Sequence, residues 1–346
     1  FAASEALSRP AEREALTRAS FAALRKVRPL LITRGRAGLV RRGHGDLHLG
    51  NIALIDGRPV PFDAVEFDPL IAAGDVLYDL AFLLMDLDER DLTLAANVVL
   101  NRYLAETRRL EDYDGLAALP LFISVRAAIR AKVIAARPIP PDGDGRAIAD
   151  AARKYFALAC SAIEPPPPLV IAIGGLSGTG KSILARMLAP HIGPLPGAVI
   201  LRSDTKRKAI FGVAETATLP IEAYTTEVTD YIYTSLFWEV QRPIEAGHSA
   251  VVDAVFARAE QRWAISEAAR ACRVQFVGLF LTAGLETRVD RVQERMHDAS
   301  DADERIARRQ ENYDLGVMDW TLIDASGTPE ETLARVLEHL QRVVRR

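Results

Sequence analysis

The sequence predicts an α/β protein built from two parts. Residues 169–346 alternate apolar, strand-like runs with helical patterns, which is typical of a parallel sheet of about five strands with flanking helices. Residues 1–163 show mostly helical periodicity. Between them stands Glu164-Pro165-Pro166-Pro167-Pro168, a stiff segment that cannot continue a helix. We therefore predict a helical domain over 1–163, a proline linker over 164–168 and an α/β domain over 169–346.

Composition limits the classes of function. The 346 residues are 49% hydrophobic and 26% charged, as in ordinary globular proteins, and the formal net charge is −3. Without a broad basic field, nucleic-acid binding is disfavoured. No apolar run has the length of a membrane span. Cys160 and Cys272 lack metal-ligand spacing and indicate a reducing compartment, so we expect a cytoplasmic protein whose oligomeric state the sequence does not reveal.

The helical part has a recognisable order of elements. Helical spacing of alanine and valine over 11–27 predicts a first helix, followed by a basic turn over 34–42. Asp56-Gly57 predicts a hairpin turn between two short strands. The predicted strands are 52–55 and 59–63, and the helices that follow them are 77–87, 93–106, 119–136 and a last one ahead of the prolines.

Five strands are predicted in the C-terminal part, at 169–173, 198–202, 250–253, 274–281 and 320–324. Parallel sheets bind ligands beyond the carboxyl ends of their strands. The polar residues that could carry chemistry cluster at those ends.

The segment from Gly175 to Ser182 fits G-x-x-x-x-G-K-S, the loop that cradles nucleotide phosphates. It follows an apolar strand and leads into a helix, which is the context that such a loop needs. Its glycines allow backbone N–H groups to close on a phosphate, Lys181 would reach the β- and γ-oxygens, and Ser182 would bind Mg²⁺. The alternative is a purely structural turn. The predicted nucleotide-binding residues are Gly175, Ser177, Gly178, Thr179, Gly180, Lys181 and Ser182.

Two aspartates end neighbouring predicted strands. Asp204 follows the strand 198–202, where its carboxylate could accept a proton from an attacking substrate hydroxyl. Arg207, one turn later, could hold the substrate. Asp253 ends the strand 250–253 and could orient Mg²⁺. The alternatives are a helix N-cap at Asp204 and a turn residue at Asp253.

An arginine-bearing segment follows the fourth strand. Arg288, Arg291 and Arg295 are spaced to share one helical face, and a polar segment from His297 to Asp303 predicts a mobile loop. A lid with arginines could close over ATP and stabilise the transferring phosphoryl group, with Arg291 and Arg295 as the catalytic candidates. A solvated helix with ion pairs such as Glu304 with Arg308 is the alternative.

Taken together, GGLSGTGKS, SDTKRK, VVDA and the arginine lid resemble the small P-loop kinases of the gluconate-kinase, zeta-toxin and polynucleotide-kinase group, which is often classed with AAA-family ATPases. The resemblance covers 169–346. It implies the strand order 2-3-1-4-5, ATP with Mg²⁺ as donor, and a hydroxyl compound as acceptor.

The N-terminal part carries a second motif, His44-Gly45-Asp46-Leu47-His48-Leu49-Gly50-Asn51. Its Asp and Asn have the spacing of a kinase catalytic loop. Asp46 would deprotonate the acceptor hydroxyl, Asn51 would bind Mg²⁺, and Asp63 falls where a second metal-binding aspartate belongs. Gly45 replaces the arginine of protein kinases, which favours a small-molecule substrate.

HGDLHLGNI, PFDAVEFDP and GDVLYDLAFLLMDL resemble the aminoglycoside phosphotransferase family over residues 28 to 160, and in particular its members fused to a P-loop domain. That fold implies an N-terminal lobe that holds ATP, and no segment before Asp46 provides one. The start at Phe1 fits a fragment, and we expect that this part alone does not transfer phosphate. Asp75 and Asp79 fit the family pattern, but capping and loop hydrogen bonds would explain them.

The leading hypothesis is an ATP-dependent phosphotransferase acting on a hydroxyl of a small metabolite. The alternatives are a polynucleotide 5′-kinase and a non-enzymatic module that senses ATP. The aromatic residues between the second and third strands are expected in the core or in a substrate lid; they are Tyr224, Tyr231, Tyr233, Phe237 and Trp238.

Overall fold

The structure is a computed structural model that describes residues 9–68, 72–138, 145–294 and 299–344. The chain divides into two compact units. The first runs to Pro166 and includes residues 194–196, and the second comprises the remainder from Pro167 onward. Across the described residues, no helix is both long enough and apolar enough to span a membrane.

The second unit is built on a five-stranded parallel sheet. Numbered from the first strand of this unit, the order is 2-3-1-4-5, which confirms the predicted fold class and strand order. The strands are β5 (Leu169–Gly175), β6 (Val199–Arg202), β7 (Ala250–Asp253), β8 (Gln275–Thr282) and β9 (Thr321–Asp324).

The central strand β5 is buried at every position, as expected for a parallel strand covered by helices on both faces. One face packs a cluster that includes Ile171, Val251, Leu279 and Val336. The main helices of this unit are α7 (Lys181–Leu188), α8 (Ser203–Ile210), α9 (Thr226–Glu239), α10 (Gln241–Glu245), α11 (Ala259–Ala271), α12 (Leu285–Gln293), α13 (Glu304–Arg309) and α14 (Pro329–Val343).

The first unit is mostly helical, and its predicted hairpin is confirmed. Asp56 and Gly57 both have positive φ, as a two-residue hairpin turn requires, and they connect β2 (Ile52–Ile55) to β3 (Arg58–Pro61). Its helices are α1 (Pro10–Arg36), α2 (Val76–Glu89), α3 (Thr93–Thr107), α4 (Leu110–Gly115), α5 (Leu119–Ala135) and α6 (Gly145–Ile163).

The predicted basic turn over 34–42 is wrong. Helix α1 continues to Arg36, and Arg34 is a buried residue that makes two hydrogen bonds to Asp75, at 2.7 and 2.8 Å. After the helix, β1 (Val40–Arg42) pairs antiparallel with β4 (Ala73–Asp75). The buried ion pair and the strand pairing are tertiary contacts that local charge patterning does not reveal.

Candidate active sites

The glycine-rich loop of the second unit connects β5 to the first turn of α7. Gly175, Gly178 and Gly180 have φ of +140°, +86° and +90°, so the loop adopts a backbone that favours glycine at each of these positions. A Cβ at Gly178 would lie 2.3 Å from the carbonyl oxygen of Arg288, so the loop also lies close against α12. The predicted strand, loop and helix are therefore all present.

Polar groups of this loop form hydrogen bonds within the protein. The backbone N–H of Ser177 donates to the side-chain oxygen of Gln310 at 2.7 Å, and the Thr179 hydroxyl donates to the Leu176 carbonyl at 2.8 Å. Lys181 Nζ donates to the same carbonyl at 3.2 Å. Gln310 is buried and had no motif to identify it in the sequence.

The two predicted magnesium ligands of this unit are in direct contact. The Ser182 hydroxyl donates to Oδ2 of Asp253 at 2.6 Å. Arg202, at the end of β6, bonds to both residues, with 3.2 Å to Asp253 and 3.0 Å to Ser182. Mg²⁺ prefers oxygen ligands and keeps waters and phosphate oxygens in its shell, so a hydroxyl and a carboxylate together fit the ion.

Asp204 lies in the first turn of α8, which begins at Ser203, and so it does not occupy the N-cap position. Burial raises the pKa of its carboxyl, and the charge of Asp253 adds to the increase, while Arg202, Lys181 and Arg207 oppose it. The surrounding charges show that Asp204 shares one electrostatic environment with the glycine-rich loop and the Ser182–Asp253 pair.

Arg207 is 6% exposed, and its guanidinium lies 4.8 Å above the Tyr224 ring and donates to the Ala223 carbonyl. Burial lowers the pKa of Arg207, and the charge of Asp204 opposes that change. These contacts fix the segment around Tyr224 next to Asp204.

Asp301 falls in the segment predicted as a mobile loop, yet it is anchored. Its carboxylate accepts hydrogen bonds from Lys208 Nζ, the Tyr224 hydroxyl and the Leu219 N–H, the last at 3.0 Å. Burial acts to raise the pKa of Asp301, but these three donors outweigh it and the pKa is lowered. The start of the predicted loop, including His297, lies outside the described residues.

The arginines of the predicted lid have individual partners. Arg288 is buried and donates to the Ser177 carbonyl at 3.3 Å and to Glu311. Arg291 donates to the carbonyls of Ala325 and Gly327, at 2.7 and 2.6 Å. Arg295 lies outside the described residues. On α13, Glu304 and Arg308 form the exposed ion pair that was the alternative to a lid.

The aromatic residues between β6 and β7 separate into two groups. Tyr233 is buried and its hydroxyl accepts from the Phe256 N–H at 3.0 Å. Tyr231 and Trp238 are exposed on α9, at 60% and 69%. Tyr233 therefore belongs to the core, which is one of the two locations, core or substrate lid, that were expected for these aromatic residues.

In the first unit, helix α2 holds the His44–Asn51 loop in place. Asp79 accepts from the N–H groups of His44 and Gly45, at 2.7 and 2.9 Å. Asp86, which is fully buried, accepts from the Leu49 N–H at 2.9 Å. The loop hydrogen bonds expected of Asp79 are present, and Asp86 is an anchor that the sequence analysis missed.

The predicted catalytic residues of this loop are brought together. The Asn51 amide donates to the carbonyl and to Oδ2 of Asp46, at 3.1 and 3.3 Å, and His48 Nε2 lies 3.4 Å from the same carboxylate oxygen. Asp63 has φ of +59° and lines an open cavity of about 630 Å³ together with Asp46. Asp75, by contrast, caps α2 through the Leu77 N–H at 2.9 Å.

Comparison with known proteins adds three kinds of finding. Residues 170–314 match a family model described as an AAA domain. Uncharacterized proteins of Mycobacterium bovis and Mycobacterium tuberculosis are 28% identical over 314 residues, which is 88% of this chain and 60% of theirs. The chain thus spans about 60% of the length of the curated relatives that it matches.

Among solved structures, a gluconokinase from Sinorhizobium meliloti 1021 is 18% identical with a TM-score of 0.36, covering 51% of this chain and 98% of its own. A sugar kinase from Janibacter sp. HTCC2649 is 20% identical with a TM-score of 0.39, covering 51% and 96%. The APS kinase of Mycobacterium tuberculosis is 18% identical with a TM-score of 0.38, covering 51% and 99%. The family match, the sheet order and the glycine-rich loop are together those of a P-loop domain in the C-terminal unit.

Proposed function

We propose that the C-terminal unit is an ATP-dependent phosphotransferase that acts on a hydroxyl group of a small metabolite. The observation that carries the proposal is the placement of Asp204 two residues after Arg202, whose guanidinium donates to both Ser182 and Asp253. Burial there raises the pKa of the Asp204 carboxyl. A phosphate-binding loop alone would serve a nucleotide sensor equally well. A carboxylate with enhanced basicity beside it supplies what transfer to a hydroxyl needs.

The proposed roles follow from the chemistry of each group. The loop amides and Lys181 hold the ATP phosphates, and Ser182 and Asp253 hold Mg²⁺, which neutralises phosphate charge when bound. Asp204 accepts the proton of the acceptor hydroxyl, and Arg207 positions the acceptor. Arg291 and Arg295 remain the candidates for contact with the transferring phosphoryl group.

For the N-terminal unit we propose an aminoglycoside phosphotransferase-like lobe over residues 1–163, joined by the linker 164–168 to the P-loop domain over 169–346. Its candidate base is Asp46, and its candidate magnesium ligands are Asn51 and Asp63. The contact of Asn51 with Asp46 and the shared cavity of Asp46 and Asp63 support this assignment. The oxygen-rich side chains suit Mg²⁺.

The test is ATP turnover by the full chain with Mg²⁺, against sugars, nucleosides, aminoglycosides and a single-stranded oligonucleotide, with products followed by phosphorus NMR. We expect one class of small hydroxyl compound to stimulate turnover. Lys181→Ala and Asp204→Asn should abolish the stimulation, whereas Asp46→Asn should leave it in place. Asp91→Asn, at a 91% exposed side chain, is the matched control.

Each other outcome has a distinct meaning. Stimulation only by the oligonucleotide would replace the proposal with a polynucleotide 5′-kinase. Tight ATP binding without stimulation by any compound would favour the sensing module and remove the role of Asp204. Stimulation that is lost in Asp46→Asn but kept in Asp204→Asn would move the activity to the N-terminal unit.

A further inference from the structure

Arg126 on helix α5 is a buried cation packed against aromatic rings. The residue is 8% exposed, and its Nε is enclosed without a hydrogen-bond partner. No carboxylate pairs with its guanidinium within the part of the chain that the structure describes. A buried charge without an ion-pair partner is unfavourable in a fold unless other contacts or a ligand offset it.

Aromatic rings hold this guanidinium in a fixed place. It lies 4.0 Å from the centre of the Tyr78 ring and 4.6 Å from that of Phe82, both on helix α2. Tyr78 is in turn fixed by an edge contact with Phe122, with the ring centres 5.2 Å apart. Ring contacts satisfy the faces of a guanidinium and leave its N–H groups, which point outward in its plane, free to donate.

The same side chain lines the cavity that contains the candidate catalytic residues of this unit. The cavity of about 630 Å³ is bounded by one cationic side chain, that of Arg126, and by the carboxylates of Asp46, Asp63 and Glu66 among others. Its volume is in the range of small-molecule sites. Arg126 is therefore a preorganised donor beside Asp46 and Asp63.

We propose that Arg126 binds an oxyanion, the phosphate or carboxylate group of a small-molecule ligand, in this cavity of the N-terminal unit. The planar guanidinium matches either group through two parallel hydrogen bonds. The ligand of this unit is then an acidic compound. This ligand binds in the N-terminal unit alone, so its recognition by Arg126 is independent of the activity proposed for the P-loop domain.

Binding is measured by NMR of arginine Nε–Hε groups in the full chain carrying Lys181→Ala, which weakens phosphate binding at the glycine-rich loop. Inorganic phosphate and acetate are titrated separately, with chloride at equal ionic strength as the reference. The Arg126 signal is assigned by its loss in Arg126→Lys. We expect a saturable shift of this signal with phosphate, with acetate or with both. The anion that binds more tightly identifies the ligand group as a phosphate or a carboxylate.

Variants separate binding from a structural role. Arg126→Gln should weaken the binding by roughly tenfold to a hundredfold, and Arg126→Lys should weaken it less. In these variants the binding is followed through the backbone N–H signals of Gly45, Asp46 and Asp63, which also line the cavity. Arg130→Gln is the matched control, because Arg130 also lies over Phe82, at 6.0 Å, but does not line the cavity. An Arg126 signal in the Lys181→Ala chain that neither anion shifts beyond the chloride reference would overturn the proposal and leave Arg126 as a packing residue.

Discussion

Ser182 and Asp253 are joined by a 2.6 Å hydrogen bond, although one begins a helix and the other ends a strand. Asp253 is 4% exposed, and Arg202 contacts both side chains. The hydroxyl and the carboxylate thus meet at the carboxyl edge of the sheet, next to the glycine-rich loop. The two side chains therefore bring together a hydroxyl and a carboxylate, which are the oxygen ligands that the proposed magnesium site would use.

Replacing the hydroxyl tests that geometry. Ser182→Ala would remove one oxygen ligand of the proposed magnesium site, so we expect the Mg²⁺-dependent part of ATP binding to weaken roughly tenfold to a hundredfold. Binding of ATP without metal should change little. Calorimetric titration of ATP with and without Mg²⁺ measures both, and Ser182→Thr should restore the affinity. Equal losses under the two conditions would show that Ser182 acts on the loop and not through the metal.

The raised pKa of Asp204 has a consequence for stability. A carboxyl whose folded-state pKa lies above its ordinary value of 3.8 favours the folded state below that value, and this contribution is lost as the pH rises through the folded-state pKa. At neutral pH, above the ordinary value, the raised pKa of Asp204 therefore lowers the stability of the fold. Asp204→Asn should have a higher Tm than the wild type at pH 7, and the difference should shrink as the solution is acidified.

Thermal unfolding across a pH series measures this difference. Asp91→Asn removes an exposed carboxylate from a position with φ of +60°, where asparagine is well tolerated, and should leave the Tm unchanged throughout. A lower Tm for Asp204→Asn at pH 7 would mean that the Asp204 carboxyl stabilises the fold at this pH, which contradicts its raised pKa.

The features that the sequence predicts correctly are those that depend on residues contiguous in the chain. The alternation of strands and helices, the loop from Gly175 to Ser182 and the hairpin at Asp56-Gly57 each depend on neighbours in the chain. Asp204 and Asp253 could be placed near each other because carboxyl ends of parallel strands meet at one edge of a sheet. Local pattern and general topology were enough for these predictions.

Other features depend on contacts between residues far apart in sequence. Gln310 reaches the Ser177 N–H, Asp86 holds the Leu49 N–H, and Arg126 lies between aromatic rings and a cavity. Each stands in an ordinary helical pattern that predicts only a polar position. Arg34 was misread for the same reason, since its partner Asp75 comes from a distant strand.

The loop glycines allow a matched comparison of two forms of strain. Gly178 and Gly180 have similar positive φ, but a Cβ at Gly178 would meet the backbone of Arg288, whereas a Cβ at Gly180 has open space around it. Gly180→Ala should lower the free energy of unfolding by about 1–2 kcal/mol, which is the cost of placing alanine in a left-handed backbone conformation. Gly178→Ala should lower the free energy of unfolding by more than this, because α12 must also move to make room for the new Cβ. Urea unfolding without nucleotide measures both variants, and equal losses would show that the approach of α12 is not rigid.

The final prediction concerns Asp301, whose carboxylate is 10% exposed and bonds to Lys208, which is 1% exposed. Asp301→Asn leaves the ammonium buried without its counter-charge, so we expect a loss of about 3–5 kcal/mol in the free energy of unfolding at neutral pH. Because the folded-state pKa of Asp301 is lowered, its contribution is present above the ordinary pKa and is lost as the pH falls through the folded-state pKa.

The variant should therefore approach the wild type in stability as the solution is acidified. Glu304→Gln breaks an exposed ion pair with Arg308 within helix α13. This variant is the control and should change stability little. Denaturant unfolding at several pH values distinguishes the cases. If Asp301→Asn behaved like Glu304→Gln at neutral pH, the contact with Lys208 would not anchor residues 299–303.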